Sequence, residues 1–418
     1  MVASVDKPRI GIILGVSGGI AAYKACDLLR RLTESGHDVT VVPTRAALRF
    51  VGAPTWEALS GKPVSAEVFD DVPQVQHVRL GQHADLVLVA PATADLLARA
   101  AHGRADDLLT STLLTARCPV VYAPAMHTEM WLHPATQDNV ATLRSRGAVV
   151  IEPAYGRLTG VDTGPGRLPE PAEIFSVATD VLGRGVRQPD LVNRRVVISA
   201  GGTHEALDPV RYLGNRSSGR QGYAVAAAAV ARGADVTVVA ANVSLPDPAG
   251  AKVLRVGSTS EMYDAVLGVS GDADAVVMAA APADFRPRNA AGHKIKKTSD
   301  GTAPTVELEQ NPDILAGLVA ARDSRDGDSD GRQVLVGFAA ETGDDDGDVR
   351  EHARAKLARK GCDLLVVNDV SGGAVFGADE SEAVILSADG DSTPVPPGPK
   401  VALAHAVWDH VAARWPTG

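Results

Sequence analysis

The sequence predicts an α/β protein made of two tandem Rossmann-like, doubly wound domains. Apolar runs typical of buried strands alternate with helical segments along the chain, and such alternation favours a mostly parallel sheet covered on both faces. A glycine-rich break follows the first strand of each half, as GVSGG and as AGGT. The two halves also share a similar strand, GHDVTVVPT and GADVTVVAA. A length of 418 residues is sufficient for two or three separately cored domains.

The first half opens with a glycine-flanked apolar strand at Ile10–Leu14, followed by a turn and a helix that ends at Gly36. Further strands are predicted at Val39–Val42, Asp85–Ala90, Pro119–Ala123 and Ala148–Ile151. Helices are predicted near Asp95–Ala101, Asp106–Ala116 and Thr136–Arg146. Gly, Pro and charge without apolar periodicity predict a linker at residues 183–194, between domains of residues 1–182 and 195–418.

The second half begins with strand Val196–Ser199, a glycine break, a polar loop, helix Gly222–Arg232 and strand Asp235–Ala240. The polar loop differs from the dinucleotide fingerprint GxGxxG, because it carries arginine, asparagine and serine side chains that could bind phosphate themselves. Further strands are predicted at Val253–Val256, Asp274–Ala281, Val334–Ala340, Leu364–Val367 and Ala383–Leu386. Helices are predicted at Ser258–Leu267, from Asn311 onward, at Val349–Lys360 and at Val401–Trp415.

Composition narrows the class of partner. The formal net charge of −10 argues against nucleic acid or an anionic membrane as the main partner. The three cysteines are far apart in sequence, which indicates neither a disulfide framework nor a metal cluster and suits a reducing compartment. Since no apolar run is long enough to span a bilayer, we expect a cytoplasmic protein that acts on small molecules.

Three motifs of the first half indicate a ligand site beyond the carboxyl ends of its strands. A glycine turn before a helix, here GVSGG, offers free N–H groups to an anion, although such a turn on its own is weak support. Together, GVSGGIAAYK, APATADLLARAAHGRADDLLT and PAMHTEMW resemble the flavin-dependent cysteine decarboxylases, in particular the phosphopantothenoylcysteine decarboxylases. The resemblance covers roughly residues 8 to 180 and implies a flavodoxin-like, FMN-binding decarboxylase domain.

The resemblance assigns roles by motif position. The implied FMN contacts are Gly15, Ser17, Gly18, Thr44, Thr93 and Asp107. Met126 and His127 would contact the substrate, and His77, in VQHVRL, matches the family's catalytic acid/base. In the implied reaction the cysteinyl thiol is oxidised towards a thioaldehyde, carbon dioxide leaves, and the resulting enethiolate is reduced by the same flavin.

This sequence departs from the decarboxylase pattern at three points. His127 stands where the family has an asparagine that holds the substrate carboxylate, and Asp107 also replaces an asparagine. The segment Leu158–Arg167 contains no cysteine, whereas the decarboxylases usually carry one there to protonate the enethiolate. Thr159, Asp162 or water would then donate that proton, and we expect the reduction still to proceed.

The second half carries six ordered motifs: SAGGT with LDPVRYLGNRSSG, AAPADFRP, KIKK, NPDIL, GFAAET and VVND. Together they resemble the phosphopantothenate–cysteine ligases over nearly all of Arg195–Lys400. The resemblance implies that CTP activates 4′-phosphopantothenate as an acyl-cytidylate, which cysteine then attacks. Taken alone, Asp284 is more typical of a solvated turn than of a Mg²⁺ site. The KIKK lysines are compatible with a solvated face or a polyanion site, and a local basic patch on an acidic chain favours the polyanion site.

The ligase resemblance assigns residues in the same way. Asn215 would turn over the acyl-cytidylate, and Arg211 is a candidate for the substrate phosphate. Lysines and Mg²⁺ would stabilise the charge that develops on the leaving pyrophosphate. The implied CTP contacts are Asp284, Lys294, Pro312, Asp313, Ile314, Leu315, Phe338, Lys356 and Lys360.

The leading hypothesis is a bifunctional enzyme of coenzyme A synthesis, which ligates and then decarboxylates. One alternative is a ligase whose flavin-binding half is catalytically silent and serves assembly. A nicotinamide-dependent oxidoreductase is disfavoured because no GxGxxG is followed by an acidic residue about twenty positions on. The decarboxylases form trimers and the ligases dimers, so the resemblance implies a homo-oligomer of about twelve subunits.

Overall fold

A computed structural model describes residues 10–67, 75–157, 163–184, 189–296, 305–325, 333–341, 349–369 and 380–415. The chain divides into two compact units, Met1–Gln188 and Pro189–Gly418. Within the described ranges, no helix has both the length and the apolar character needed to cross a membrane.

The first unit is built on one parallel five-stranded sheet. Its strands are β1 (Gly11–Val16), β2 (Asp38–Pro43), β3 (Leu86–Ala92), β4 (Val120–Pro124) and β5 (Val149–Val150). A separate antiparallel hairpin consists of β6 (Ala154–Arg157) and β7 (Thr163–Arg167). The helices are α1 (Lys24–Glu34), α2 (Ala53–Ser60), α3 (Gln76–His83), α4 (Ala94–Ala101), α5 (Leu108–Thr115), α6 (Thr128–Leu132), α7 (Pro134–Ser145) and α8 (Pro171–Arg184).

The order of this sheet is β2-β1-β3-β4-β5, so the chain reverses its direction of winding between β1 and β3. Alternate side chains of β1 enter two apolar clusters on opposite faces of the sheet, Ile12 and Leu14 in one and Ile13 in the other. A doubly wound sheet of this kind opens a crevice at the point of reversal, beyond the carboxyl ends of the strands.

The second unit contains an eight-stranded sheet. Its strands are β8 (Arg195–Gly201), β11 (Asp235–Ala241), β12 (Lys252–Val256), β13 (Ala275–Met278), β16 (Val334–Glu341), β17 (Leu364–Asp369), β18 (Glu380–Ser387) and β19 (Ser392–Pro399). Two further antiparallel sheets of two strands each pair β9 (His204–Ala206) with β10 (Tyr212–Gly214), and β14 (Phe285–Pro287) with β15 (Leu308–Gln310). The helices are α9 (Arg220–Ala231), α10 (Thr259–Ser270), α11 (Ile314–Asp323), α12 (Val349–Lys360) and α13 (Lys400–Ala412).

The order of the second sheet is β12-β11-β8-β13-β16-β17-β18-β19. The first six strands of that order are parallel, and β18 and β19 are antiparallel additions at one edge. Winding reverses between β8 and β13, where the loops after Gly201 and Met278 leave the sheet side by side. The prediction of two doubly wound α/β domains is therefore confirmed.

Several local predictions need correction. The strand predicted at Asp274–Ala281 ends at Met278, where the chain turns into a loop. Within this loop, Ala281 pairs with Gly202 in a single isolated β-bridge. The segment predicted as a linker begins inside α8, and Leu191 within it is fully buried in the core of the second unit. The sequence does not predict the two-stranded antiparallel pairs, the strand β19 or the helices α2, α3, α6 and α8.

Two candidate active sites

In the first unit, Ser17 ties together the two loops that flank the point of reversal. Its hydroxyl donates to the carbonyl of Pro91 at 2.7 Å and accepts from the backbone N–H of Thr93 at 2.9 Å. Ser17 is buried, and its own N–H also donates to the Pro91 carbonyl at 3.2 Å. Two residues predicted from separate motifs thus lie in direct contact at the carboxyl edge of the sheet.

A cavity of about 1430 Å³ opens beside this contact. The predicted flavin and substrate residues that line it are Ser17, Gly18, Thr44, Thr93, Asp107, Met126 and His127. Six basic side chains line it against four acidic ones, although the chain as a whole is acidic. The cavity therefore suits a ligand that carries phosphate.

Gly15 is predicted to contact the flavin, but it does not line the cavity. A Cβ atom at this position would lie 2.6 Å from Cδ1 of Leu109. The missing side chain at Gly15, one residue before the end of β1, therefore allows α5 to pack closely against the sheet.

Asp107 lines the cavity and also begins α5. One carboxylate oxygen accepts from the backbone N–H of Thr110 at 2.7 Å, and the other accepts from Arg99 at 2.8 Å. Its neighbour Asp106 also accepts from Arg99, and this hydrogen bond is the main reason that the pKa of Asp106 lies below its ordinary value. A carboxylate at Asp107 thus keeps the helix-capping role that an asparagine could also fill.

His77, the predicted acid/base, does not line the cavity of the first unit. It lies in α3, outside the residues that line the cavity. Its backbone carbonyl accepts from the hydroxyl of Thr115 at 2.8 Å, while its buried Nδ1 has no hydrogen-bond partner among the described residues. The proton-donor candidates Thr159 and Asp162 lie outside the described residues.

In the second unit, Asn215 contacts the loop that follows β13. Its amide Nδ2 donates to the carbonyl of Pro282 at 2.9 Å. The contact joins the polar loop after β8 to the AAPADF segment, across the point where winding reverses.

A second cavity, of about 780 Å³, lies at this contact. The predicted residues that line it are Asn215, Asp284, Pro312, Asp313, Ile314, Leu315, Phe338, Lys356 and Lys360. Six basic side chains line it against two acidic ones. That excess of positive charge suits a polyanion such as a nucleoside triphosphate.

Asp313 and Lys360 form an ion pair within the second cavity. Asp313 also caps α11, since its carboxylate accepts from the N–H of Ala316 at 3.1 Å. Burial opposes ionisation, yet the hydrogen bonds from Lys360 and the backbone bring the pKa of Asp313 below its ordinary value. The ammonium group of Lys360 is thus held by a carboxylate at the cavity wall.

Arg211 and Lys294 do not line the second cavity. Arg211 donates through Nε to the carboxylate of Asp208 at 2.9 Å and through Nη2 to the carbonyl of Ile295 at 2.8 Å. The Ile295 N–H in turn donates to Asp208 at 3.1 Å. The hydrogen bond from Arg211 is the main cause that lowers the pKa of Asp208 far below its ordinary value. Arg211 therefore anchors the backbone next to Lys294.

Other cavity residues were missed in the sequence. Asn368 lines the second cavity, and its buried Oδ1 has no hydrogen-bond partner among the described residues. Asn368 belongs to the VVND motif, and this motif is the sequence feature from which its place in the cavity could have been predicted. Arg359 and Lys400 also line this cavity, but no local pattern distinguishes them from other basic residues on helices. The described residues contain no group of three or more His, Cys, Asp or Glu side chains that could hold a metal ion.

Comparison with known proteins explains why the chain has two such sites. Residues 2–183 match the family model for flavoproteins, and residues 191–414 match that for the DNA/pantothenate metabolism flavoprotein C-terminal domain. The coenzyme A biosynthesis bifunctional protein CoaBC of Mycobacterium tuberculosis (strain ATCC 25618 / H37Rv) is 60% identical, covering 97% of this chain and 98% of that protein. This chain belongs to the family of bifunctional coenzyme A biosynthesis proteins.

More distant members match over similar spans. The Mycolicibacterium smegmatis protein of this name is 59% identical over 97% of this chain and 98% of its own length, and that of Vibrio vulnificus (strain YJ016) is 43% identical over 94% and 95%. A crystal structure of the C-terminal domain of such a protein covers 54% of this chain and 97% of that chain, with 31% identity and a TM-score of 0.43. The family predicted from the motifs is confirmed, and the chain is a bifunctional enzyme of coenzyme A biosynthesis with a flavoprotein half.

Proposed function

We propose that the second unit joins cysteine to 4′-phosphopantothenate at the expense of CTP, and that the first unit then decarboxylates 4′-phosphopantothenoylcysteine to 4′-phosphopantetheine with FMN. The observation that carries this proposal is that each unit has a phosphate-compatible cavity at its own point of winding reversal. Each cavity is lined by most of the residues that one of the two resemblances names, with Gly15, His77, Arg211 and Lys294 as the exceptions.

In the first unit, the residues fit FMN because small loop residues border a cavity with an excess of positive charge. When bound, FMN supplies the two-electron oxidation of the cysteinyl thiol and the later return of those electrons. Gly18, Thr44 and Thr93 would hold the cofactor, with Ser17 fixing the loop geometry. Met126 and His127 would hold the substrate, and the imidazole of His127 can donate a hydrogen bond to its carboxylate.

In the second unit, a substrate carboxylate oxygen attacks the α-phosphorus of CTP, and pyrophosphate leaves. Lys356 and Lys360, with Lys294 from the neighbouring segment, would stabilise the negative charge on the leaving group. The cysteine amine then attacks the acyl carbon and CMP leaves. Asn215 would hold the acyl-cytidylate for this second attack, since its position beside the Pro282 carbonyl borders the cavity.

Mg²⁺ completes the proposed ligase chemistry. This ion usually binds through one or two carboxylates together with substrate phosphates. The exposed carboxylate of Asp284, at the cavity wall, is the candidate protein ligand. We expect ligation to stop on chelation and to return on addition of Mg²⁺, and Asp284→Asn to raise the Mg²⁺ concentration that is needed.

The position of His77 supports an assembly of several copies of this chain. Its position outside the cavity of its own chain is compatible with an imidazole that serves the cavity of a second copy. Ile20 and Tyr23 are exposed near the first cavity, as are Val210 and Tyr212 on the second unit, and such apolar surfaces favour association. We propose a homo-oligomer that combines trimeric and dimeric contacts, which native mass spectrometry would test. The cytoplasmic location stays a prediction.

One experiment tests the proposed function as a whole. Purified protein receives 4′-phosphopantothenate, cysteine and CTP, and pyrophosphate, carbon dioxide and the thiol product are measured together. We expect all three, from a yellow protein whose released chromophore is FMN. Pyrophosphate and amide without carbon dioxide would instead support a silent flavin-binding half, and failure with CTP but success with ATP would contradict the choice of nucleotide.

A further inference from the structure

The segment Pro282–Asp284 forms part of the wall of the second cavity, and a hydrogen bond holds a backbone group of each of its three residues. Asn215 donates to the Pro282 carbonyl at 2.9 Å. Asn311 donates through Nδ2 to the Ala283 carbonyl at 2.9 Å and through its backbone N–H to the Asp284 carbonyl at 2.9 Å. The N–H of Ala283 donates to the hydroxyl of Thr203 at 2.8 Å.

Behind Thr203 lies a chain of buried hydrogen bonds that ends at a carboxyl group. The hydroxyls of Thr203 and Thr259 are 2.8 Å apart. Glu205 Oε1 accepts from the Thr259 backbone N–H at 2.9 Å and from the Thr259 hydroxyl at 2.8 Å. Thr203, Glu205 and Thr259 are 0%, 4% and 1% exposed, so water is largely excluded from this chain.

The direction of each hydrogen bond follows from the number of protons available. A threonine hydroxyl has one proton, and the Thr259 proton is used on Glu205 Oε1. The bond between the two hydroxyls must therefore be donated by Thr203, whose lone pairs remain for the N–H of Ala283. Thr259 Oγ also lies 3.3 Å from the Ala283 carbonyl, but that carbonyl already accepts the shorter bond from Asn311.

We infer that Glu205 is a positioning residue for the nucleotide. By accepting the Thr259 proton, it orders the hydrogen bonds that fix Ala283, and thereby sets the cavity wall formed by Pro282, Ala283 and Asp284. Glu205 itself does not line the cavity, so it acts through the two threonines. This inference rests on the proposed use of the second cavity for a nucleoside triphosphate.

Removal of the carboxyl group disturbs the whole chain. In Glu205→Ala, the N–H and the hydroxyl proton of Thr259 lose their acceptor in a buried site, and the hydroxyl turns to the Ala283 carbonyl, where it competes with Asn311. Because an unpaired buried donor is costly, we expect the KM for the nucleotide to rise about tenfold or more. Glu205→Gln keeps an amide oxygen at the position of Oε1 and should restore the KM to within about twofold of wild type.

The test uses the full-length, flavin-loaded protein, with the wild type first assayed for the nucleotide that it uses. The ligase kcat and the KM for that nucleotide are measured for Glu205→Ala and Thr203→Val, against the conservative controls Glu205→Gln and Thr203→Ser. Valine fills the volume of threonine but removes the acceptor for Ala283, so it reports on the same chain if the alanine variant folds poorly. Decarboxylase activity in the same preparations is the internal control for folding of the chain.

The inference predicts a raised KM in Glu205→Ala and Thr203→Val, near-normal values in both conservative variants, and unchanged decarboxylation. The double variant should raise the KM no further than the more affected single variant, because both changes break one chain. A purely structural role would lower the active fraction, and hence kcat, with the KM unchanged, and that result would overturn the inference. Wild-type protein that ligates with neither CTP nor ATP would contradict the proposed function instead.

Discussion

The substitution Asn215→Asp separates the two half-reactions proposed for the second unit. The amide Nδ2 of Asn215 donates to the Pro282 carbonyl at 2.9 Å. A carboxylate of the same shape has no proton to donate and would place two oxygen atoms against each other, so the side chain must turn away. For an exposed hydrogen bond, the loss is about 1 kcal/mol, which corresponds to a rate decrease of about fivefold in the step that needs Asn215.

In the proposed reaction, that step is the attack of cysteine on the acyl-cytidylate, whereas Lys356 and Lys360 would stabilise the charge on pyrophosphate. We therefore expect pyrophosphate release to stay within about threefold of wild type, while amide formation falls and acyl-cytidylate accumulates. Quenched reactions, analysed by mass spectrometry with a parallel pyrophosphate assay, would measure both. Amide formation at the wild-type rate, or equal loss of both products, would refute the reasoning. Decarboxylation of added 4′-phosphopantothenoylcysteine serves as the control.

Three further substitutions test other parts of the structure. Lys360→Ala removes a cation from the second cavity, and titration calorimetry should show CTP binding weakened by about tenfold; unchanged affinity would exclude Lys360 from the site. The pKa of Asp208 is lowered in the folded protein from its ordinary value of 3.8. Its carboxylate therefore stabilises the fold at pH values above that ordinary pKa, and this stabilisation is lost as the pH falls through the lowered pKa. Asp208→Asn should thus lower the free energy of unfolding at neutral pH, and a difference that persists in acid would contradict this. Gly15→Ala places a Cβ 2.6 Å from a leucine of α5 and should destabilise the first unit by about 1–3 kcal/mol, whereas Gly183→Ala, which meets no atom within 4 Å, should not.

The sequence predicted most of the fold because strand and helix periodicity is a local property of these residues. It also predicted which loops meet, since the carboxyl ends of parallel strands share one edge. Arg211 shows where this reasoning stops. A motif places an arginine near a phosphate site, but it does not reveal that an aspartate three residues earlier already binds the guanidinium.

The sequence also does not predict which residues that are distant in the chain come together in the fold. The distance between His77 and the cavity depends on how α3 packs, and no periodicity within VQHVRL encodes that packing. The antiparallel pairs β9–β10 and β14–β15 have strands of three residues each, too short for an alternating pattern to be recognised. Glu205 lies in one of them, and its role depends on Thr203 and Thr259, which only the folded chain brings together.

The two edges of the eight-stranded sheet limit how copies of this chain can associate. At one edge, β19 carries Pro394, Pro396, Pro397 and Pro399, and proline has no N–H to offer to a further strand. At the other edge, β12 presents exposed Lys252 together with exposed Arg255, and charged side chains of this kind discourage strand addition. Neither edge favours growth of the sheet from one molecule into the next, so subunits that assemble through this unit must meet through helices, hairpins or loops.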